Sequence, residues 1–159
     1  MPDIPTLRRI LHDYRTIAMV GLSDNWYRPS FFAAKYMRDH GYRVIPVNPR
    51  HSQILGEKCY PELAAIPESA GPVGIVDVFR RPENAPELAR QAVAVGARVL
   101  WLQLGIANAE AARIAAAGGL EVVKDRCVKI EHARLFGGLG WVGVNTGVVS
   151  AHRHKVIAN

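Results

Sequence analysis

Cysteine is scarce. The 159 residues hold Cys59 and Cys127 alone, far apart, with no C-x-x-C pair and no His/Cys spacing of the kind that encloses zinc. A disulfide-stapled scaffold and a zinc site are set aside, and both residues are expected as thiols. Long apolar runs are missing too: the N-terminus interleaves Asp3, Arg8, Arg9, His12 and Asp13 with apolar residues, so neither a signal-peptide core nor a membrane span is read there. The expectation is a cytoplasmic protein with no membrane partner. Blocks of like charge are absent as well. The formal net charge is +6, but the basic residues are scattered, with doublets only at Arg8-Arg9 and Arg80-Arg81, and nucleic acid is not the expected partner. A small polyphosphate needs only two or three well-placed cations and suits this excess better than a duplex does.

Two phosphate-binding signatures are also missing. Gly21 is the only glycine in its loop, so G-x-G-x-x-G is absent, and the second strand ends in Val47-Asn48-Pro49 rather than in an acid for a ribose hydroxyl. An NAD-type nucleotide-binding module is therefore the weaker alternative. No Walker lysine loop occurs, which leaves NTP hydrolysis without support.

What is present is a globular composition, 49% hydrophobic and 21% charged, and enough chain for one domain with a substantial core. The organising stretch runs from Thr16 to Ser30. Ile17 to Val20 is a short β-forming apolar run with no polar alternation, which suits a strand covered on both faces of a parallel sheet. Gly21 ends it, where a tight turn and close backbone approach favour glycine. Pro29-Ser30 then opens a helix carrying Phe32, Tyr36 and Met37. A strand, a glycine turn and a helix N-terminus together aim backbone N–H groups and a positive dipole end at an anion.

The same step repeats along the chain. Ile4, Leu7, Ile10 and Leu11 fall on one helical face, and Gly41 caps the helix that follows the first strand. Arg43 to Val47, Ile75 to Val78, Arg98 to Leu102 and Glu121 to Val123 read as further strands. Helices are expected around Leu88 to Val95 and from an N-cap at Asn108 through Ala117. The long connection from His51 to Tyr60, before a short helix near Glu62 to Ala65, is of the kind that is often functional. The expected fold is α/β: a Rossmann-like, doubly wound parallel sheet of about five strands in a three-layer αβα sandwich. Residues 1–135 are read as the domain and 136–159 as its Gly/Val-rich C-terminal tail.

Ligands of such sheets bind beyond the carboxyl ends of the strands. Here those ends read Gly21-Leu22-Ser23, Val47-Asn48-Pro49-Arg50, Val78-Phe79-Arg80, Leu102-Gln103 and Asp125-Arg126-Cys127. Glycine, proline, hydroxyl, amide and arginine dominate, which suits nucleotide holding and offers few proton-transfer groups. Taken in order, Val20-Gly21-Leu22-Ser23 with Arg28-Pro29-Ser30, Gly41 to Pro49, Ile54-Leu55-Gly56-Glu57, Asp77-Val78-Phe79-Arg80-Arg81, Trp101 to Gly105 and Asp125-Arg126-Cys127 resemble the stand-alone bacterial CoA-binding protein family. That family is similar to the CoA-binding domain of the succinyl-CoA synthetase alpha subunit.

The resemblance implies a domain that binds coenzyme A or an acyl-CoA with no assigned reaction. The synthetase's second domain, which supplies a phosphorylated histidine, is not expected here, nor is the synthetase reaction. By the same resemblance Gly21, Leu22 and Ser23 would meet the phosphates or pantetheine, and Arg28, Pro29 and Ser30 an anion at the helix start. Asn48, Pro49 and Arg50 would hold the adenosine end, with Arg50 at the 3′-phosphate. Val78, Phe79 and Arg80 would wall the nucleotide, and Gln103 would lie near the pantetheine arm. A protein partner would be a second copy of the chain or a separate enzyme.

One alternative is enzymatic. Cys127, near Lys129, Glu131 and His132, would be a nucleophile toward a CoA thioester or CoA disulfide if neighbouring cations depressed its pKa. The simpler reading makes Cys127 a small buried hydrophobe. His51, His152 and His154 are expected at the surface rather than on a metal.

Overall fold

The computed structural model describes residues 2–137. Asp3 caps the first helix, α1 (Ile4–Asp13), by accepting a hydrogen bond from the Thr6 N–H, and Pro5 sits in the first turn where its missing N–H costs nothing. The chain then alternates: β1 (Thr16–Val20), α2 (Pro29–Asp39), β2 (Arg43–Val47), a two-stranded hairpin of β3 (Gln53–Ile54) and β4 (Glu57–Lys58), β5 (Ile75–Val78), α3 (Ala85–Ala94), β6 (Val99–Leu102), α4 (Ala109–Ala117), β7 (Glu121–Val123) and α5 (Val128–Phe136). The main sheet has five strands in the order β2-β1-β5-β6-β7, every neighbouring pair parallel.

Period-two alternation sends side chains to two cores. Ala18, Val20, Val76, Val78, Leu100 and Leu102 meet the alanine faces of α3 and α4. Ile17, Met19, Ile75, Val99 and Trp101 meet Leu7, Ile10, Leu11, Ala33, Ala34 and Met37 of α1 and α2, with Val128 of α5. The strands are buried on both faces, as a parallel sheet between two helical layers requires, and the three-layer α/β fold expected from the sequence is the one found. Asp77 is the exception within this apolar pattern: it lies in the central strand, in register with Met19 and Trp101, and is fully buried.

The sheet margins are guarded. At the β2 edge Pro46 offers no N–H, and Tyr60 forms a parallel bridge to Val47 while its own N–H donates to the Pro46 carbonyl. At the other edge β7 is three residues long, and Arg9 of α1 pairs with its Glu121.

The sequence reading did not anticipate α5 or the hairpin. Helix α5 starts after Cys127 without a side-chain cap and buries polar residues: Glu131 accepts from Arg126 at 2.8 Å and from Arg134 at 2.6 Å. The hairpin turns at Leu55 and Gly56, both at positive φ. The helix carries the chain through Phe136, one residue past the expected domain boundary. Residues 138–159, most of the expected tail and including His152 and His154, lie outside the described residues.

Candidate functional site

The strand order reverses between β1, which hands the chain to β2 on one side, and β5, which starts the run to β6 and β7 on the other. A crevice opens at such a point because the loops after the two strands diverge. Here it is a cleft of about 680 Å³ lined by residues from the ends of β1, β2, β5 and β6 and from the start of α2, a size suited to a small molecule.

The β1 loop is shaped by Gly21. Its φ is +85°, its N–H donates to the Val47 carbonyl at 2.8 Å, and a Cβ there would stand 2.6 Å from the Phe79 carbonyl oxygen. Only glycine lets the loops after β1 and β5 pass this closely. Ser23 follows, its N–H donating to Ser30 Oγ at 3.1 Å. Its own hydroxyl accepts from Asn25 N–H, and Asn25 Oδ1 accepts from Tyr27 N–H. The loop is thus held by its own polar groups while Trp26 and Tyr27 stack on each other and remain exposed. Arg28 stands at the N-cap of α2 with no side-chain cap bond, and Pro29 occupies the first helical position, so the positive end of α2 faces the cleft.

From β2, Asn48 is buried and bonded on both sides: Nδ2 donates to the Leu22 carbonyl at 3.0 Å and Oδ1 accepts from the Arg50 N–H at 3.0 Å. From β5 come Phe79, half-buried against the apolar core, and Arg80. From β6 comes Gln103, whose Nε2 donates to Asp77 Oδ1 at 2.6 Å.

Of the residues the sequence singled out, Gly21, Ser23, Arg28, Pro29, Ser30, Asn48, Arg50, Phe79, Arg80 and Gln103 come together in this cleft. Leu22 and Val78 do not. Leu22 is wholly buried beside Met19 and contributes its carbonyl, while Val78 alternates to the opposite face and packs under α3. Pro49 lines a neighbouring cavity of about 340 Å³, which shares Arg80 with the cleft.

His51, Arg81, Leu104 and Ile106 also line the cleft. His51 is partly buried, 3.5 Å from Asp24, rather than at the open surface expected for it. The long β2 connection was the one signal that pointed to it. No acidic residue lines the cleft among the described residues, against arginines at 28, 50, 80 and 81.

Cys127 is at the cleft, and both cysteines are free. Burial pushes the Cys127 thiol up rather than down, and the Asp77 carboxyl adds to that. The condition for an activated nucleophile, a depressed pKa, is not met. Its sequence neighbours are engaged elsewhere: Glu131 is enclosed by arginines, and His132 Nδ1 meets Tyr36 Oη at 3.0 Å among Tyr42, His40 and Phe136. Burial lowers His132 to about 4, with His40 and Arg15 adding to the effect. Burial raises Asp77 to about 8, against the hydrogen bond from Gln103.

Fold and cleft together define a class: Rossmann-like α/β domains with a ligand-sized crevice at the carboxyl edge of a parallel sheet. Within it the chain belongs to the CoA-binding domain family, whose sequence profile, described as a CoA binding domain, matches residues 15–133. It is 39% identical to the uncharacterized protein YneT of Bacillus subtilis (strain 168) over 132 residues, 83% of this chain and 96% of that protein. A solved structure of a hypothetical protein from Pyrococcus horikoshii OT3 superposes with a TM-score of 0.82 at 40% identity, covering 86% of this chain and 94% of that one. An ADP-forming acetate–CoA ligase of Archaeoglobus fulgidus is 31% identical over 94 residues, which is 57% of this chain but only 14% of the ligase.

Proposed function

We propose that the protein binds coenzyme A or an acyl-CoA in this cleft without transforming it. The observation that carries the reading is the cleft's charge, arginines with no lining carboxylate, at the reversal point of the sheet in a chain of the CoA-binding domain family. Four guanidiniums match a ligand with a diphosphate and a 3′-phosphate, because charge-assisted bonds to phosphate are the strong ones and arginine makes them bidentate. The α2 N-terminus with Arg28 would take the diphosphate, Arg50 the 3′-phosphate, Phe79 the base, and Gln103 the amides of the pantetheine arm. The free thiols of Cys59 and Cys127 suit a reducing compartment such as the cytoplasm.

Thermal shift and calorimetry with CoA, acetyl-CoA, NAD and ATP test the reading. Stabilisation by the CoA species above the others is expected. Stabilisation by NAD with none from any CoA species overturns it.

A further inference from the structure

Beneath the cleft lies a carboxyl group that the binding reading leaves unused. Asp77 is fully buried in the central strand, and its side chain alternates to the face of the sheet that carries Met19, Trp101 and α2. Two residues that line the cleft touch its environment: Gln103 donates to Oδ1 at 2.6 Å, and the Cys127 thiol is shifted by the Asp77 charge. Oδ2 is buried with no hydrogen-bond partner among the described residues. A buried polar oxygen left unpartnered is destabilising, and an ionised one more so. A fold that keeps such a group in its central strand holds it far more cheaply as a neutral acid than as an anion.

The bond to Asp77 also fixes Gln103. With Nε2 committed below the floor, Oε1 is the end of the carboxamide left to the cleft, and it accepts from a donor of the ligand such as an amide N–H. We infer that Asp77 is the positioning residue of the cleft floor: by accepting from Gln103 Nε2 it turns the Gln103 oxygen toward the ligand, and negative charge on Asp77 opposes occupancy by a polyanion. This rests on the CoA reading above and names the amide-bearing pantetheine arm as the part read at Gln103.

Few groups nearby compete for this titration. The register neighbours Met19 on β1 and Trp101 on β6 do not titrate, and at the start of α5 the facing group is Cys127. The charged groups of the cleft itself are its arginines, and His51 lines it beside them.

The test is the affinity for acetyl-CoA, whose thioester carries no titrating thiol, measured from about pH 7 to about pH 9 in a Cys127→Ser background. Affinity is expected to fall several-fold as Asp77 ionises, and the added Asp77→Asn substitution, which removes the titrating carboxyl, is expected to flatten that profile. The same fall in Asp77→Asn overturns the inference and assigns the titration elsewhere. Should Asp77→Asn not fold, isotope-edited infrared spectroscopy of the Cys127→Ser protein reads the protonated carboxyl directly. Its signal is expected to persist to higher pH with acetyl-CoA bound, and an unchanged midpoint overturns the assignment. A flat profile with intact acetyl-CoA binding sinks the role of Asp77 alone, whereas no binding of CoA or acetyl-CoA at any pH sinks the cofactor reading with it.

Discussion

Asn48 Nδ2 donates to the carbonyl oxygen of Leu22 across 3.0 Å, which ties the loop after β2 to the loop after β1 at the point where the cleft begins. The other end of the same carboxamide accepts from the Arg50 N–H. One buried side chain therefore sets the separation of two ligand-facing loops. Asn48→Ala removes both bonds and leaves the buried Leu22 carbonyl without this donor, a loss of about 1–3 kcal/mol. Denaturant unfolding is expected to show that loss, and calorimetry a weaker affinity for CoA.

Gly21→Ala is expected to be more severe. The new Cβ would stand 2.6 Å from the Phe79 carbonyl at a φ of +85°, and backbone strain with overpacking together cost about 2–4 kcal/mol. A melting temperature unchanged from the parent protein would show that the two loops move apart freely.

The arginines are expected to divide the ligand between them. Arg50→Ala should weaken CoA about tenfold or more, the worth of a charge-assisted hydrogen bond, and dephospho-CoA much less. Arg28→Ala should weaken both alike, since the diphosphate is common to them. Equal losses in Arg50→Ala would move that residue off the 3′-phosphate.

Two buried groups give the stability of the unliganded protein an opposed pH dependence. Asp77, raised to about 8, is protonated when folded and ionised when unfolded between about pH 4 and pH 8. Its contribution is complete below the unfolded-state value and is lost as pH rises through 8. His132, lowered to about 4, is neutral when folded and charged when unfolded between about pH 4 and pH 6.5. Its contribution is present above the unfolded-state value and is lost as pH falls through 4. The slopes oppose each other below pH 6.5, and above it Asp77 acts alone, so stability is expected to fall from about pH 6.5 to pH 8 by up to about 1.4 kcal/mol per pH unit. Urea unfolding of Asp77→Asn, with that slope abolished, checks the assignment.

Cys127 is expected to alkylate slowly at neutral pH. Its reactivity should rise at a higher pH than that of a model thiol, because burial holds the proton on sulfur. Saturating CoA should slow it further, read by mass spectrometry against Cys127→Ser. Fast labelling at pH 7 would revive the enzymatic alternative with a mixed disulfide to CoA.

The sheet was legible because its strands are short, largely apolar runs, three of them closed by glycine or a polar residue: Val20 before Gly21, Val47 before Asn48-Pro49, Leu102 before Gln103. The order of the chain then put those closing residues on one rim. What the strand ends did not reveal was the direction of each side chain. Val78 and Phe79 are adjacent, yet one is core beneath α3 and the other lines the cleft. Helix α5 escaped notice because it lacks a capping side chain, and its buried face contains Glu131, His132 and Arg134, which break the apolar stripe that marks a packed helix. Asp77 carries no mark of its own in the sequence, since nothing in Ile75-Val76-Asp77-Val78 distinguishes a buried acid from a solvated one. Its burial is decided by Met19 and Trp101, which are distant in sequence and adjacent in space.

The guarded margins of the sheet limit how copies of this domain can meet. With proline and the Tyr60 bridge at one border and a three-residue strand tied to α1 at the other, neither flank of the described residues offers a row of open amides for a foreign strand to zip onto. Crowding or partial heating therefore has little purchase for edge-to-edge polymerisation, and contact between folded molecules falls to the outer helices and the rim loops.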